Sequence, residues 1–268
     1  MARIMEVATP LDPDLLFHGM SGTEEMSRLG EYELSMLSLK NNLELNKLLG
    51  EKVSVKLTLG DDSVRQFNGY ITRIAQLGMH GRYHRYVATV RPWLWFLTRT
   101  SDCRVFQEMS VPDIVKKVFA DHSSLAEFKF DLTATYPKLT YCVQYRETDF
   151  NFVSRLLEHE GIYYFFKHQD GQHLMVIADS YSAHEPYVGC EELPINNTGR
   201  LLRRDIEQIT AWEVSRQVQP GVYVHDHYDL EKPSAEILTQ KTLKRVYANS
   251  TLEVYDYPGL YLKKPEGE

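Results

Sequence analysis

Ten histidines in 268 residues invite a search for a metal site. His225 and His227 stand two apart in a strand-patterned stretch, so both imidazoles would project from one face with Asp226 on the other. One His-x-His pair without a third ligand is a poor zinc site, and aligned polar side chains on a half-solvated strand explain it better. Glu158-His159-Glu160 holds the residue types of a metalloprotease helix in the wrong order. A zincin needs His-Glu-x-x-His, so that two imidazoles share a helical face, and only one His is present, so this triplet reads as a solvated last helical turn. Asp61-Asp62 and Glu191-Glu192 lack the fixed separation across a cleft that a glycosidase carboxylate pair requires. Trp93 and Trp95, with Phe96, could stack on a sugar, but they read better as core aromatics. His80, Arg82, His84 and Arg85 form a small basic patch that suits a hairpin loop, or failing that an acidic partner surface. The chain has no Gly-x-Ser-x-Gly elbow, phosphate-binding loop or dinucleotide glycine fingerprint. Cys103, Cys142 and Cys190 are odd in number, far apart and without C-x-x-C spacing, so we expect buried thiols in a reducing compartment. No residue is therefore assigned a catalytic, cofactor-binding or metal-binding role, and no cofactor is expected.

Composition narrows the classes further. Lys and Arg number 30 against 37 Asp and Glu, a formal net charge of −7, and no basic run exceeds pairs such as Lys116-Lys117 and Arg203-Arg204. Proteins that bind nucleic acid by neutralising phosphates are usually basic, so no nucleic-acid partner is expected. Hydrophobic residues make up 43%, aromatics 12% and charged residues 25%, which are globular values. A chain of this length forms one large domain or two modest ones and buries enough surface to need no metal or disulfide staple. No apolar run approaches the ~20 residues that span a bilayer. Met1-Ala2-Arg3-Ile4-Met5-Glu6 has no signal-peptide apolar core. The expected course is folding in the cytoplasm, with any export by a route that needs no signal peptide.

The elements follow from periodicity. Val53, Val55, Leu57 and Leu59 alternate with polar partners ahead of the turn Gly60-Asp61-Asp62, and a helical turn over 43–49 closed by Gly50 precedes them. Further strands are expected over 32–39, 67–74 and 83–91, the last stopping at Pro92 because proline cannot donate to a ladder. The period then changes. Ser110, Pro112 and Asp113 mark a helix start, and Val111, Ile114, Val115, Val118 and Phe119 form its apolar stripe. Thr148 and Asp149 start a second helix with Phe152, Val153, Leu156 and Leu157 as its stripe and Gly161 at its end. A hairpin follows over 162–166 and 174–177, turning at Asp170-Gly171, with later strands over 206–214, 221–228 and 252–257.

Specific phrases then decide the reading. The run over 142–166, from Cys142-Val143-Gln144-Tyr145-Arg146-Glu147-Thr148-Asp149 to Gly161-Ile162-Tyr163-Tyr164-Phe165-Phe166, resembles the VgrG family, the valine-glycine repeat proteins of the type VI secretion spike. Leu48-Leu49-Gly50, Phe67-Asn68-Gly69-Tyr70-Ile71, Arg91-Pro92-Trp93-Leu94-Trp95-Phe96-Leu97 and Arg104-Val105-Phe106-Gln107 extend the resemblance. So do Asp229-Leu230-Glu231-Lys232-Pro233-Ser234 and Glu253-Val254-Tyr255-Asp256-Tyr257-Pro258-Gly259. The resemblance implies a mainly β fold: two small antiparallel β-barrels like those of the phage tail hub, joined by an α+β segment. The implied division is a first barrel over 1–100, an α+β segment with two amphipathic helices over 101–161, and a second barrel over 162–268, incomplete at its C-terminus. The OB-fold and needle of the family would lie outside this sequence.

The same resemblance implies a structural part of the secretion spike and not an enzyme. Three chains would form a homotrimer whose six barrels sit on a hexameric Hcp tube, with baseplate proteins and effectors or adaptors as further partners. The protein would wait in the cytoplasm before firing and leave through the type VI system. The alternatives are the hub of a contractile phage tail or related injection particle, a cell-wall-degrading module, and a carbohydrate-binding module using Trp93 and Trp95.

Overall fold

The computed structural model describes residues 4–59, 63–169, 171–186, 192–196, 208–229, 232–259, 261 and 264–267. Several sequence features lie outside these residues: the Gly60-Asp61-Asp62 turn, Asp170, Cys190, Glu191, Arg203-Arg204, the 206–207 start of an expected strand, and Leu230-Glu231. The chain divides into two compact units, one holding the residues up to Pro194 and the other holding Ile209–Glu268.

Six strands open the first unit: β1 (Met5–Ala8), β2 (Leu16–Thr23), β3 (Glu31–Ser38), β4 (Lys52–Thr58), β5 (Val64–His80) and β6 (Tyr83–Arg91). They form one antiparallel sheet in the order β1-β4-β5-β6-β3-β2. The sheet curls until its edge strands β1 and β2 approach each other. Alternation decides which side faces in. Leu34 and Met36 of β3, Val53 and Val55 of β4, and Tyr86, Ala88 and Val90 of β6 meet Ile71 and Leu48 in a closed apolar interior. Gly50 takes a positive φ of 80° just after the single 3-10 turn Leu45–Lys47, as its C-terminal position asks. β5 runs well past the expected 67–74, and a two-residue loop with Gly81 at φ 60° returns it into β6.

The α+β layer follows. After Pro92 ends β6, Trp93–Thr98 wind into 3-10 turns and β7 (Ser101–Phe106) pairs with β11 (Cys142–Thr148). The short strands β8 (Met109–Ser110) and β10 (Lys138–Leu139) pair beside them. Helix α1 (Val111–Ala120) is capped by Ser110, whose Oγ accepts the Asp113 N–H at 3.4 Å. Helix α2 (Asp149–His159) is capped by Thr148, whose Oγ1 accepts the Asn151 N–H at 3.1 Å, and Gly161 follows with φ 68°. Strand β9 (Phe128–Asp131) lies parallel to β13 (Gln172–Ala178), which pairs with β12 (Tyr163–Gln169) in a hairpin. The stripes of both helices, Trp93, Phe106 and the inner residues Tyr164, Met175 and Ile177 of the hairpin share one core. Phe152 stacks on Phe106 with ring centroids 5.4 Å apart. The hairpin is thus built into the same core as the helices that precede it.

The second unit contains β14 (Val222–His225), flanked by antiparallel β15 (Thr239–Thr242) and parallel β16 (Glu253–Asp256). Of the strand expected over 206–214, the described residues 208–214 show an isolated bridge from Ile209 to Ile195 in place of a strand. Tyr261 is buried and its hydroxyl donates to the carbonyls of His225 and Ile237, both at 2.9 Å.

One glycine of the barrel is fixed by space. A Cβ on Gly69 would stand 2.6 Å from Val90 Cγ1 and 2.9 Å from the Arg91 carbonyl. Forcing atoms into a packed interior of this kind costs about 1–3 kcal/mol. Gly69→Ala should therefore lower the midpoint of chemical unfolding without changing its slope, whereas alanine at Gly78, where a Cβ meets nothing within 4 Å, should not.

Candidate functional site

The barrel and the α+β layer meet along a seam of polar groups, and its centre is Asn68 on β5. Asn68 is only 3% exposed, yet every polar group it carries toward the seam has a partner. Its Nδ2 donates to the carbonyls of Gln169 and Gln172, at 2.7 and 2.9 Å, where the β12–β13 hairpin turns. Its Oδ1 accepts from Ser54 Oγ at 2.6 Å, and its backbone N–H donates to His168 Nδ1 at 2.9 Å. On its other nitrogen His168 meets Glu24 Oε1 at 2.8 Å, and Tyr32 OH donates to the same carboxylate. The hydrogen bond from His168 holds the Glu24 carboxyl below its usual range, with burial opposing and Tyr32 assisting. Burial, then the bond to Glu24, drives the Tyr32 phenol well above its ordinary value. His173, the cross-strand partner of His168, is buried, and its Nε2 accepts the backbone N–H of Trp93 at 2.8 Å. Burial, with the charges of His168 and Lys52 adding to it, pushes the His173 imidazole down to about 3. A cavity of about 160 Å³ lies beside this seam, bounded by Glu24, Arg28, Tyr32, Phe165 and His168.

A second polar knot ties the layer together. Asp149, 5% exposed at the start of α2, accepts from Thr100 Oγ1 at 2.8 Å, Gln144 Nε2 at 2.8 Å and Arg104 at 2.8 Å, and lies 3.0 Å from His122 Nε2. Burial alone would raise its carboxyl, but the bonds from Gln144, His122 and Thr100 and the Arg104 charge outweigh that and hold it below the usual range. Arg146 takes φ 52° where the β7–β11 register slips. After the slip, Glu147 grips Arg155 at 2.7 Å, while Arg155 also reaches the Val143 carbonyl at 2.8 Å. Gln144, Glu147, Asp149 and Arg155 account for much of the distinctive 142–166 run, and their work is to hold a strand against a helix.

Among the described residues, those singled out for chemistry are not assembled into a site. His225 ends β14 and His227 lies beyond it, its ring 6.4 and 6.1 Å from those of Tyr257 and Tyr261. Among the described residues no group of three or more His, Cys, Asp and Glu is placed to hold a metal. Glu158 and His159 are exposed at the end of α2. His80 and Arg82 are exposed at the β5–β6 turn, with the His80 ring 4.9 Å from that of His18. Trp93 is fully buried in the α+β core, and the Trp95 ring lies under the guanidinium groups of Arg91 and Arg99, at 5.4 and 4.7 Å. Cys142 is buried, but Cys103 departs from expectation and is exposed, because alternation along β7 turns it to the outer face. Sequence reading missed the seam residues Asn68, His168 and His173. The available signal was an Asn-Gly pair inside a strand, where a glycine marks a close approach of another backbone.

Comparison with known proteins agrees with this geometry. The model of the phage tail baseplate hub (GPD) family matches residues 23–268. The chain belongs to that family. It is 42% identical over its whole length to the type VI secretion system spike protein VgrG1a of Pseudomonas aeruginosa and 40% identical to VgrG1c of the same organism. It spans only 42% and 36% of the lengths of those two relatives. It is also 26% identical to the actin cross-linking toxin VgrG1 of Vibrio cholerae, of which it covers 24%. Among solved structures, an E. coli component of the type VI secretion system matches with a TM-score of 0.61 and 26% identity, over 68% of this chain and 51% of that one. A prophage tail protein of Shewanella oneidensis has the same fold at 11% identity, with a TM-score of 0.57 over 98% of this chain and 76% of the other.

Asp149→Asn leaves Arg104 and His122 facing a neutral amide. Removing one partner of a buried pair of this kind costs about 3 kcal/mol, read as a lower denaturant midpoint at pH 7. Because the folded Asp149 carboxyl lies below its ordinary 3.8, its contribution is complete above that value and is lost as pH falls through the folded pKa. The asparagine variant should therefore lose less stability than the parent between neutral pH and pH 3.

Proposed function

We propose that this chain is the hub part of a type VI secretion puncturing spike. Three copies form a collar that seats on a hexameric tube and passes thrust to the needle. The observation that carries this reading is 42% identity to a spike protein across the whole chain, together with membership of the baseplate hub family. The physical construction supports it: the barrel and the α+β layer share a seam of buried polar bonds, the arrangement wanted where rigidity matters more than turnover. The second unit contributes the second barrel of the expected pair, so that a trimer offers six similar modules to six tube subunits. Its exposed Trp212, Val214, Tyr255 and Tyr257 fit a surface that contacts other chains. The chain acts without catalysis, and any enzymatic activity of a spike comes from further domains or carried effectors. It folds in the cytoplasm and leaves with the firing machine. The family match also favours a second reading, the hub of a contractile phage tail or related particle, with the same architecture on a different machine.

Expressed at the full length of its curated relatives, the protein should be trimeric by light scattering and should retain the hexameric tube protein on a column. A monomer at micromolar concentration, or no retention of the tube, would overturn the reading. Trimerisation without tube binding, in a strain whose neighbouring genes encode a phage sheath, would favour the second reading.

A further inference from the structure

We infer that the seam between the barrel and the β12–β13 hairpin is an acid-sensitive latch, closed only while His168 and His173 are both neutral. The two residues are register partners on the hairpin with ring centroids 6.1 Å apart. Each uses a ring nitrogen to accept a main-chain N–H from the other side of the seam: His168 Nδ1 from Asn68 at 2.9 Å and His173 Nε2 from Trp93 at 2.8 Å. A backbone N–H only donates, so each of these nitrogens must present a lone pair. The geometry thereby fixes the His168 proton on Nε2, toward Glu24, and the His173 proton on Nδ1. Adding a second proton to either ring sets N–H against N–H and breaks the bond.

The surrounding charges do not rescue the closed form. His168 faces Glu24 and Tyr32, with Arg65 near enough to act on both. A charged His168 can keep Glu24 only by giving up Asn68. His173 faces the Tyr70 ring at 5.8 Å and Lys52, whose ammonium is already held by Glu127 at 2.9 Å, so among the described residues no carboxylate is paired with it to balance a charge there. Two imidazolium ions at this separation would also repel each other. Once the hairpin lifts, the His173 ring reaches solvent and recovers an ordinary histidine pKa near 6.5, well above its closed value of about 3. The sign follows: between that value and the depressed folded value the open form binds more protons, so the closed form weakens as pH falls.

Hydrogen exchange on the whole chain, corrected for the intrinsic pH dependence of the rates, reads the latch at the amides of Asn68 and Trp93. Their protection should drop by about tenfold for each pH unit below about 6.5, the slope of the one proton that His173 takes up on opening. Protection at Val87 and Ala88, inside the barrel, should hold. Replacing both histidines in one His168→Gln, His173→Gln variant supplies carbonyl acceptors that do not titrate, and should flatten the response. Protection that is independent of pH in the parent, or an equal fall at Val87 and Ala88, would overturn the inference, as would an unchanged acid response in the variant. Should the variant not fold, nitrogen chemical shifts of the parent imidazoles decide. Charging of the rings together with loss of the two amides supports the latch, and charged rings beside amides that stay protected refute it.

Discussion

One asparagine sets the relation between the two halves of the first unit. Asn68 sits inside a barrel strand, where a polar amide is costly unless every donor and acceptor is met. Its partners come from both sides: Ser54 from the barrel, and the Gln169 and Gln172 carbonyls and His168 from the hairpin. The hairpin therefore cannot shift by even one residue without leaving buried groups unpaired. An apolar contact would tolerate sliding, since area is indifferent to direction, but this arrangement does not. The neighbouring Gly69 has the same logic in steric form, because its missing side chain lets β5 press against β6 beside the seam.

The rest of the layer is organised to present that hairpin. The two helices supply apolar stripes, and Asp149 fixes the start of α2 to Thr100, Arg104 and His122 from three other segments. A carboxylate so fully bonded has no capacity left for a substrate, and Glu147 is held in a two-pronged ion pair by Arg155. The buried polar residues of this layer are thus engaged in joining elements. This is the physical ground for reading a mechanical part, and membership of the baseplate hub family agrees with it.

Much of the fold was legible from local rules. Strand β6 matched its expected span because Pro92 imposes a stop that no packing overrides, and both helices matched their caps and stripes. Strands β1, β2, β7 to β11 and β15 were not foreseen: most are short or Gly-containing, and all owe their shape to the neighbour they pair with. The seam was invisible for a related reason. His168 and His173 look like two polar residues of a hairpin tip, and only their contacts across the fold give them meaning: His168 meets Asn68, 100 residues away in sequence, and His173 meets Trp93, 80 residues away. The 142–166 phrase revealed kinship at once, while the reason for its residues emerged only when Gln144, Asp149 and Arg104 were seen together.

The central claim is that barrel and α+β layer act as one rigid piece. Single-molecule pulling at pH 7.5, with handles on β1 and on β13, tests it most directly. The account predicts one cooperative rupture in which the curled sheet and the helical layer give way together. Early detachment of the hairpin and helices at low force, leaving a barrel that unfolds later by itself, would contradict it.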